Sequence, residues 1–215
     1  MNPRLLACAV LAATIACPVQ AAGPALSRTE AVKRLTDADV GKRREAIARL
    51  GDVGQMTDAS ALVQELKDPE EVVRSEAEEA LWRIWSRSGD AKVDTLYKKG
   101  MAQMSAGDGE GAVETFTRII KMKPTFAEAW NKRATVYFLM EEYEKSLADC
   151  DEVMKRNPYH FGALSGYFQI YMELEEYERA IRYGRRALAI NPNLEGLKSS
   201  VEALERHLGK DSQVI

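Results

Sequence analysis

Histidine and cysteine are the residue types that most often ligate transition metals, and both are scarce in this 215-residue chain. The histidines are His160 and His207, and neither stands at a metal-ligand spacing from a cysteine or from the other histidine. The cysteines are Cys8, Cys17 and Cys150, and no two of them form a Cys-x-x-Cys pair. The sequence therefore predicts no metal site.

Two short motifs have the residue types of catalytic or phosphate-binding turns. Ser165 lacks the preceding glycine of a nucleophile elbow, and it falls inside a predicted helix, where no strained turn can expose its hydroxyl. Gly107 and Gly109 follow no strand and precede no Lys-Ser or Lys-Thr pair, so they predict a turn between helices. We expect no catalytic residue, no cofactor and no small-molecule substrate.

Charged clusters are also present, but their spacing is helical. The acidic stretch 68–79 has no loop glycine and no alternating oxygen donors, so it predicts a solvated helix face rather than a calcium site. The cluster Lys42-Arg43-Arg44 is more typical of a surface face than of a lipid or phosphate site, and both remain open. A net charge of -3 without a ladder of basic and aromatic residues excludes nucleic acid as the expected partner.

The first 21 residues have the three parts of a cleavable secretory signal. Arg4 is followed by the apolar run 5–15, which is too short to span a bilayer, and by small residues at 19–21. The pattern predicts a signal peptide over 1–21 and a periplasmic or secreted product. Two alternatives stay open, which are a buried first helix and a lipoprotein anchored to the membrane through Cys17. Against the second, Thr14 stands three positions before Cys17, where bacterial lipoprotein signals usually carry an aliphatic residue.

The remainder has the composition of a folded chain, with 46% apolar and 29% charged residues over the whole sequence. Cleavage leaves Cys150 as the remaining cysteine, so an intramolecular disulfide is excluded and packing must supply the stability. We expect Cys150 to be a buried, unreactive thiol.

A repeat of 34 residues organises the second half of the chain into segments 93–126, 127–160 and 161–194. Equivalent positions hold apolar residues that wedge between helices, small residues where helices approach, and prolines that end each unit. These are Leu96, Trp130 and Leu164 (fourth), Gly100, Ala134 and Phe168 (eighth), Ala112, Ser146 and Ala180 (twentieth), and Pro124, Pro158 and Pro192 (thirty-second). The pattern resembles the tetratricopeptide repeat, which implies an all-α fold, a right-handed solenoid of helix-turn-helix units.

Several residues depart from the family pattern. Lys99 and Arg133 stand at a seventh position that is usually leucine, and Gln103 replaces an aromatic residue. Phe168 stands where a small residue is preferred, while Gly184 is the twenty-fourth residue of the same unit. We expect the ring of Phe168 to fill the space that Gly184 leaves.

The ends of the repeats have their own signals. Thr125 and Glu128 have the spacing of a capping box for the helix that opens the second unit. Residues 195–208 predict an amphipathic capping helix, which a solenoid needs to close its stack, and 209–215 predict a flexible tail.

A second duplication, with a period of 31 residues, precedes these repeats. Leu35-Thr36-Asp37 with Arg43 recurs as Leu66-Lys67-Asp68 with Arg74. The pattern resembles HEAT-like repeats of the phycobilisome-lyase type over 27–89, and the alternative is a set of plain amphipathic helices. We expect this segment to dock on the first 34-residue unit with Trp82, Ile84 and Trp85 at the junction. The combination resembles exported bacterial repeat proteins.

The tetratricopeptide resemblance implies a concave groove, lined by the first helix of each unit, that binds a polypeptide. Asn131 and Gln169 have amides that suit an extended backbone, and methionines adapt to apolar side chains. The expected groove residues are Tyr97, Met101, Met104, Asn131, Thr135, Phe138, Ser165, Gln169 and Met172. Gly162 and Gly166 stand where one subfamily has basic residues for acidic chaperone tails, so such tails are not expected. The alternative is a structural protein that acts through self-association or through the HEAT-like face.

Overall fold

The computed structural model describes residues 25–211 of the chain, and this part contains eleven α-helices, one short 3₁₀ turn and no strand. The predicted signal peptide, Cys17 and residues 212–215 of the predicted tail therefore lie outside the described residues, whereas residues 209–211 of that tail are helical. The helices are α1 (Arg28–Arg34), α2 (Val40–Val53), α3 (Ala59–Glu65), α4 (Glu71–Trp85), α5 (Ala91–Ser105), α6 (Gly109–Met122), α7 (Ala127–Leu139), α8 (Tyr143–Arg156), α9 (Phe161–Glu173), α10 (Tyr177–Ile190) and α11 (Glu195–Asp211). Within 25–211 no helix is both long and apolar enough to cross a bilayer.

The 34-residue units form three helix pairs, which are α5 with α6, α7 with α8 and α9 with α10. Small residues let the paired helices approach, as the sequence predicts. A Cβ atom on Gly100 would lie 2.7 Å from Cζ of Phe116, which is closer than atoms can pack. The all-α solenoid expected from the repeat is therefore confirmed.

The turn inside each pair repeats the same left-handed backbone. Gly107, Glu141 and Glu175 have φ angles of 75°, 62° and 57°, and they are 34 residues apart. In each turn the next N–H donates to the carbonyl five residues earlier, at 2.9, 2.8 and 2.9 Å, which satisfies the end of the first helix. Glycine adopts this positive φ without strain in the first unit, whereas Glu141 and Glu175 adopt it as non-glycine residues in the other two.

The junctions between units are equally regular. Pro124, Pro158 and Pro192 follow the last turn of α6, α8 and α10. The N–H of the residue before each proline donates to the carbonyl four residues earlier at 2.8 Å, and the proline then stops the helix because it has no N–H to continue. Each of the three units therefore ends with the same backbone hydrogen bond.

The departures from the family pattern are compensated by specific contacts. Arg133 forms a two-bond ion pair with the buried Asp149, with both N···O distances at 2.7 Å. Gln103 accepts a hydrogen bond of 2.7 Å from the Thr115 hydroxyl. The side chain of Lys99 is exposed, so its charge stays hydrated.

The small residue Gly184 and the large residue Phe168 pack against each other. A Cβ on Gly184 would lie 3.0 Å from Cδ2 of Phe168 and 2.4 Å from Cγ2 of Val201 in α11. The ring therefore fills the space beside the glycine, as expected, and the capping helix fills the rest. Cys150 is buried as expected, and burial raises the pKa of its thiol to about 12, which favours the unreactive thiol form.

The N-terminal segment folds as two helix pairs, α1 with α2 and α3 with α4, around one apolar core. Equivalent arginines hold the two turns. Arg43 donates to the carbonyls of Asp37 and Ala38, and it forms a two-bond ion pair with Asp68 at 2.7 and 3.0 Å. The ion pair links the first helix pair to the second, so this member of the basic cluster 42–44 is buried and structural.

The second arginine repeats the same arrangement. Arg74 donates to the carbonyls of Asp68 and Pro69, and its Nε donates at 2.9 Å to Oδ1 of Asn193 in the turn before α11. Asn193 therefore accepts from Arg74 as Asp68 accepts from Arg43. The arginine that would bind a third N-terminal repeat binds the C-terminal end of the solenoid instead.

The position of the N-terminal segment differs from the prediction. Trp82 and Trp85 lie at the junction as expected, but their rings pack on His160 and Phe161 at the start of the third unit, with centroid distances of 4.7–5.5 Å. Ile84 is buried within the segment's own core. The aromatic junction expected at the first unit therefore lies at the third unit. The segment also contacts the first unit, where Nζ of Lys123 donates to the carbonyl of Ser88.

Candidate functional site

The first helices of the three units, α5, α7 and α9, carry all nine predicted groove residues, and four of these residues meet. Asn131, Thr135 and Phe138 on α7 and Gln169 on α9 line one depression of about 70 Å³. Thr135 and Gln169 are exposed, and Phe138 is half-buried. We call the surface formed by Thr135, Phe138 and Gln169 the open strip. Its floor includes Gly166, where a Cβ would lie 3.6 Å from Sγ of Cys150.

The three predicted residues of α5 do not join this depression. Tyr97 packs edge to face against Phe126, with ring centroids 5.6 Å apart, and Met101 packs against the core of the first unit. Met104 lines a separate cavity of about 140 Å³ beside Leu139. The first unit thus contributes a neighbouring apolar surface rather than part of the same depression.

The two remaining residues of α9 are half-buried. Ser165 donates its hydroxyl to the carbonyl of Phe161 at 2.9 Å, so the hydroxyl is used within its own helix. Met172 packs against the core of the third unit. Gln169, which lies between them, has the exposed polar side chain of this helix face.

A buried polar network borders the open strip, and the sequence analysis did not predict it. Glu128 is fully buried at the start of α7. Its carboxylate accepts from Nε2 of His160 at 2.9 Å, Nζ of Lys132 at 3.1 Å, Nδ2 of Asn131 at 3.1 Å and the hydroxyl of Tyr97 at 3.5 Å. The Nδ2 group of Asn131 is therefore already used within the fold, although its side chain lines the depression.

The hydrogen bonds of His160 fix its tautomer. Its Nδ1 accepts from the backbone N–H of Ala163 at 3.0 Å and so caps α9. An accepting Nδ1 has no proton, so the ring proton lies on Nε2 and is donated to Glu128. Burial acts to raise the pKa of Glu128. The hydrogen bond from His160, together with the charge and hydrogen bond of Lys132, outweighs burial and lowers that pKa to about 2.

This network replaces the predicted capping box. The N-cap of α7 is Phe126, which makes no side-chain hydrogen bond to the helix, and Glu128 is the second helical residue rather than the third. Its carboxylate points to His160 instead of back to Thr125. The sequence contained a signal for this network. Lys132 stands four residues after Glu128, and His160 immediately precedes a helix.

The N-terminal segment covers one edge of the concave face. A Cβ on Gly162 would lie 2.7 Å from Cη2 of Trp82, so the glycine allows the indole to rest on the helix. Nζ of Lys132 lies 5.9 Å from the center of the same ring. The starts of α7 and α9 are thus covered by α4, and the open strip is the part of these helices farther along the chain.

No group of three His, Cys, Asp or Glu side chains within residues 25–211 is arranged to hold a metal ion.

Two family models described as "Tetratricopeptide repeat" match the chain, over residues 97–161 and 169–194. A TPR repeat-containing protein of Rhizobium etli is 33% identical over 108 residues, which is 50% of this chain and 53% of that protein. A small glutamine-rich tetratricopeptide repeat-containing protein of Dictyostelium discoideum is 29% identical over 123 residues, covering 56% of this chain and 37% of that protein. The chain thus spans about half or less of the length of these relatives.

Solved structures show the same fold. The first TPR of Spaghetti, bound to an HSP90 peptide, superposes with a TM-score of 0.53 at 21% identity, covering 56% of this chain and 96% of that one. The Sgt2 TPR domain of Aspergillus fumigatus gives 0.54 at 18% identity, covering 58% and 83%. These structures show the fold, and the two family models place tetratricopeptide repeats within residues 97–161 and 169–194.

Proposed function

We propose that this chain, whose tetratricopeptide repeats lie within residues 97–194, is a non-catalytic adaptor that binds an extended polypeptide segment along the open strip. The observation that carries the proposal is the exposure of Thr135 and Gln169 on either side of the depression beside Phe138. The N-terminal segment covers the neighbouring edge, so the ligand lies on the uncovered part of α7 and α9.

The chemistry of the strip favours a peptide with apolar side chains. The amide of Gln169 can both donate to and accept from a peptide backbone, as extended-chain recognition requires. Phe138 and the half-buried Met172 offer apolar surface that adapts to different side chains. The depression of about 70 Å³ has room for a small apolar side chain rather than for an aromatic ring.

The similarity to the Spaghetti domain, which was solved with an HSP90 peptide, supports peptide binding as the general mode. The ligand proposed here differs in charge. Gly162 and Gly166 bring no basic side chain to α9, and Gly162 is covered by Trp82. An acidic tail would therefore lose hydration at the third unit without gaining a cation, which disfavours it.

The proposed place of action is the cell envelope of a bacterium. The apolar run 5–15 and the small residues at 19–21 support export with cleavage after Ala21, with lipidation of Cys17 as the alternative. The segment 27–89 acts as a HEAT-like scaffold in this proposal. The equivalent contacts of Arg43 and Arg74 support its internal duplication.

The test is peptide binding by the double variant Phe138→Ala with Gln169→Ala. We expect binding of an apolar peptide, selected from a displayed library on the full chain, to weaken at least about tenfold, because the strip loses its ring and its amide. The matched control is Val72→Ala with Gln64→Ala, which removes an exposed apolar residue and an exposed glutamine from the N-terminal segment.

The control also tests the rival function. Loss of binding in the control with retention in the strip variant would move the site to the HEAT-like face and refute the proposal. Light scattering adds a second criterion, because a stable symmetric oligomer that hides the open strip would favour a structural, self-associating protein.

A further inference from the structure

A second cavity, of about 340 Å³, lies outside the open strip where the N-terminal segment meets the first and second units. It is bordered by the residues after α4, the turn before α7 and the end of α8. Its polar lining comes from basic, amide, indole and hydroxyl groups, and no residue that lines it is acidic. The lining residues that matter here are Trp85, Arg87, Lys123, Thr125, Arg156 and Asn157.

Two of these residues have buried donors without a partner. The indole Nε1 of Trp85 and the amide Nδ2 of Asn157 are buried and make no hydrogen bond. Trp85 is 3% exposed and Asn157 is 1% exposed. A buried N–H without an acceptor destabilises the fold, so two at one cavity indicate a ligand that accepts hydrogen bonds.

The charge around the cavity has the same sign. Lys123 and Arg87 donate hydrogen bonds to backbone carbonyls. The pKa of Asp90, which lies outside the cavity lining, is lowered by backbone hydrogen bonds and also by the charge of Lys123. Arg156 pairs with Glu152 in its own helix and also donates to the carbonyl of Pro124. Basic side chains therefore outnumber acidic ones at this cavity, since Arg87, Lys123 and Arg156 line it and no acidic residue does, in a chain whose net charge is -3.

The start of α7 adds positive potential at the cavity. Thr125, Phe126 and Ala127 line the cavity, and the helix begins there. Phe126, the N-cap, makes no side-chain hydrogen bond to the helix, so the first N–H groups are not capped by it. A 13-residue helix presents partial positive charge at this end, which stabilises an anion.

We propose that this cavity binds a phosphate-type oxyanion, either free or as the monoester of a small organic group. Donors reach the cavity from α4, from the turn before α7 and from the end of α8, so they surround it rather than lie in one plane. A tetrahedral anion with several acceptor oxygens matches such a set better than a planar carboxylate with two. Met56 and Phe126 form an apolar wall that fits the organic group of a monoester.

The variant Asn157→Asp isolates the unpaired donor. The Oδ1 of Asn157 accepts from the N–H of Tyr159 at 3.2 Å, and aspartate keeps this acceptor while replacing Nδ2 by a negative oxygen. Lys123→Gln removes one cation from the cavity. Lys121→Gln is the matched control, because Lys121 lies on the same helix and is exposed outside the cavity.

The experiment is calorimetric titration of the full chain and its variants with inorganic phosphate and with glycerol 2-phosphate, at constant ionic strength set with chloride. We expect binding to the wild type and to Lys121→Gln, with at least about tenfold weaker binding by Asn157→Asp and by Lys123→Gln. Circular dichroism of each variant shows that it is folded.

The two ligands separate the two sources of the same chemistry. Tighter binding of glycerol 2-phosphate identifies a monoester site, and equal or weaker binding identifies a site for the free anion. No heat and no rise in Tm with about 10 mM of either ligand would overturn the proposal. Equal binding by the wild type, Asn157→Asp and Lys123→Gln would overturn it as well, because the anion would then lie elsewhere.

Discussion

Replacing Glu128 by glutamine tests the buried network that joins the first two units to the third. In the native protein the carboxylate accepts hydrogen bonds from His160, Lys132 and Asn131 at 2.9–3.1 Å. A glutamine amide has one acceptor oxygen, so its NH₂ group must face at least one of these donors. Glu128→Gln therefore leaves a buried donor unpaired and removes the charge that lies beside Lys132.

The pKa of Glu128 sets the magnitude. It is lowered from 4.5 to about 2, because the donors around it outweigh the effect of burial. At about 1.4 kcal/mol per pH unit, this shift corresponds to about 3 kcal/mol of stability. A lowered pKa means that the folded state binds the proton more weakly than the unfolded state. The ionised Glu128 carboxylate therefore contributes its full stability above the pKa that it has in the unfolded state, and this stability is lost as the pH falls toward 2.

The assay is urea unfolding of the wild type and of Glu128→Gln, followed by circular dichroism at pH 7 and at pH 3. We expect the variant to be less stable by about 3 kcal/mol at pH 7 and by about 1 kcal/mol at pH 3, because most unfolded-state carboxylates are protonated there. Glu144→Gln is the control, since Glu144 is the second residue of α8 as Glu128 is of α7, but it is exposed.

The control separates burial from the helix dipole. Glu144→Gln should change the free energy of unfolding by less than about 1 kcal/mol at either pH, which is the size of a dipole effect at an exposed site. A destabilisation by Glu128→Gln that is the same at both pH values would refute the reasoning, because the loss would then not depend on the ionised carboxylate.

Two further predictions concern the core of the repeats. Gly184→Phe should destabilise by about 1–3 kcal/mol or more, since even a Cβ atom at this position would meet Val201 at 2.4 Å, and an unchanged Tm would contradict the packing described. Cys150 should react with a thiol reagent only after unfolding, because it is buried with a pKa of about 12, and rapid labelling of the native protein would contradict its burial.

The repeat architecture could be predicted from the sequence because a 34-residue period constrains many positions at once. Pro124, Pro158 and Pro192 mark the ends of the three units, and each follows the last turn of a helix in the structure. Gly100 and Gly184 predict close packing, and the structure places Phe116 and Phe168 against them. These are local signals, whose meaning depends on residues within one unit.

The arrangement of the N-terminal segment could not be predicted in the same way. Its contacts join residues far apart in the chain, such as Arg74 with Asn193 and Trp82 with Phe161. A repeat period carries no information on such pairs. Sequence proximity favoured the first unit, whereas the third unit offered aromatic rings and an asparagine acceptor. The hydrogen bond between Asn131 and Glu128 is local, and it was missed because Glu128 was assigned to a capping box.

The central claim is that a polypeptide binds along the open strip. The most direct measurement is photo-crosslinking in the cell of origin, with a photoreactive residue placed at Gln169, at Thr135 or, as a control, at the exposed Arg182 on α10. Mass spectrometry would identify what is bound. We predict one polypeptide crosslinked from Gln169 and from Thr135 but not from Arg182. Crosslinks from Arg182 with none from the strip would contradict the account.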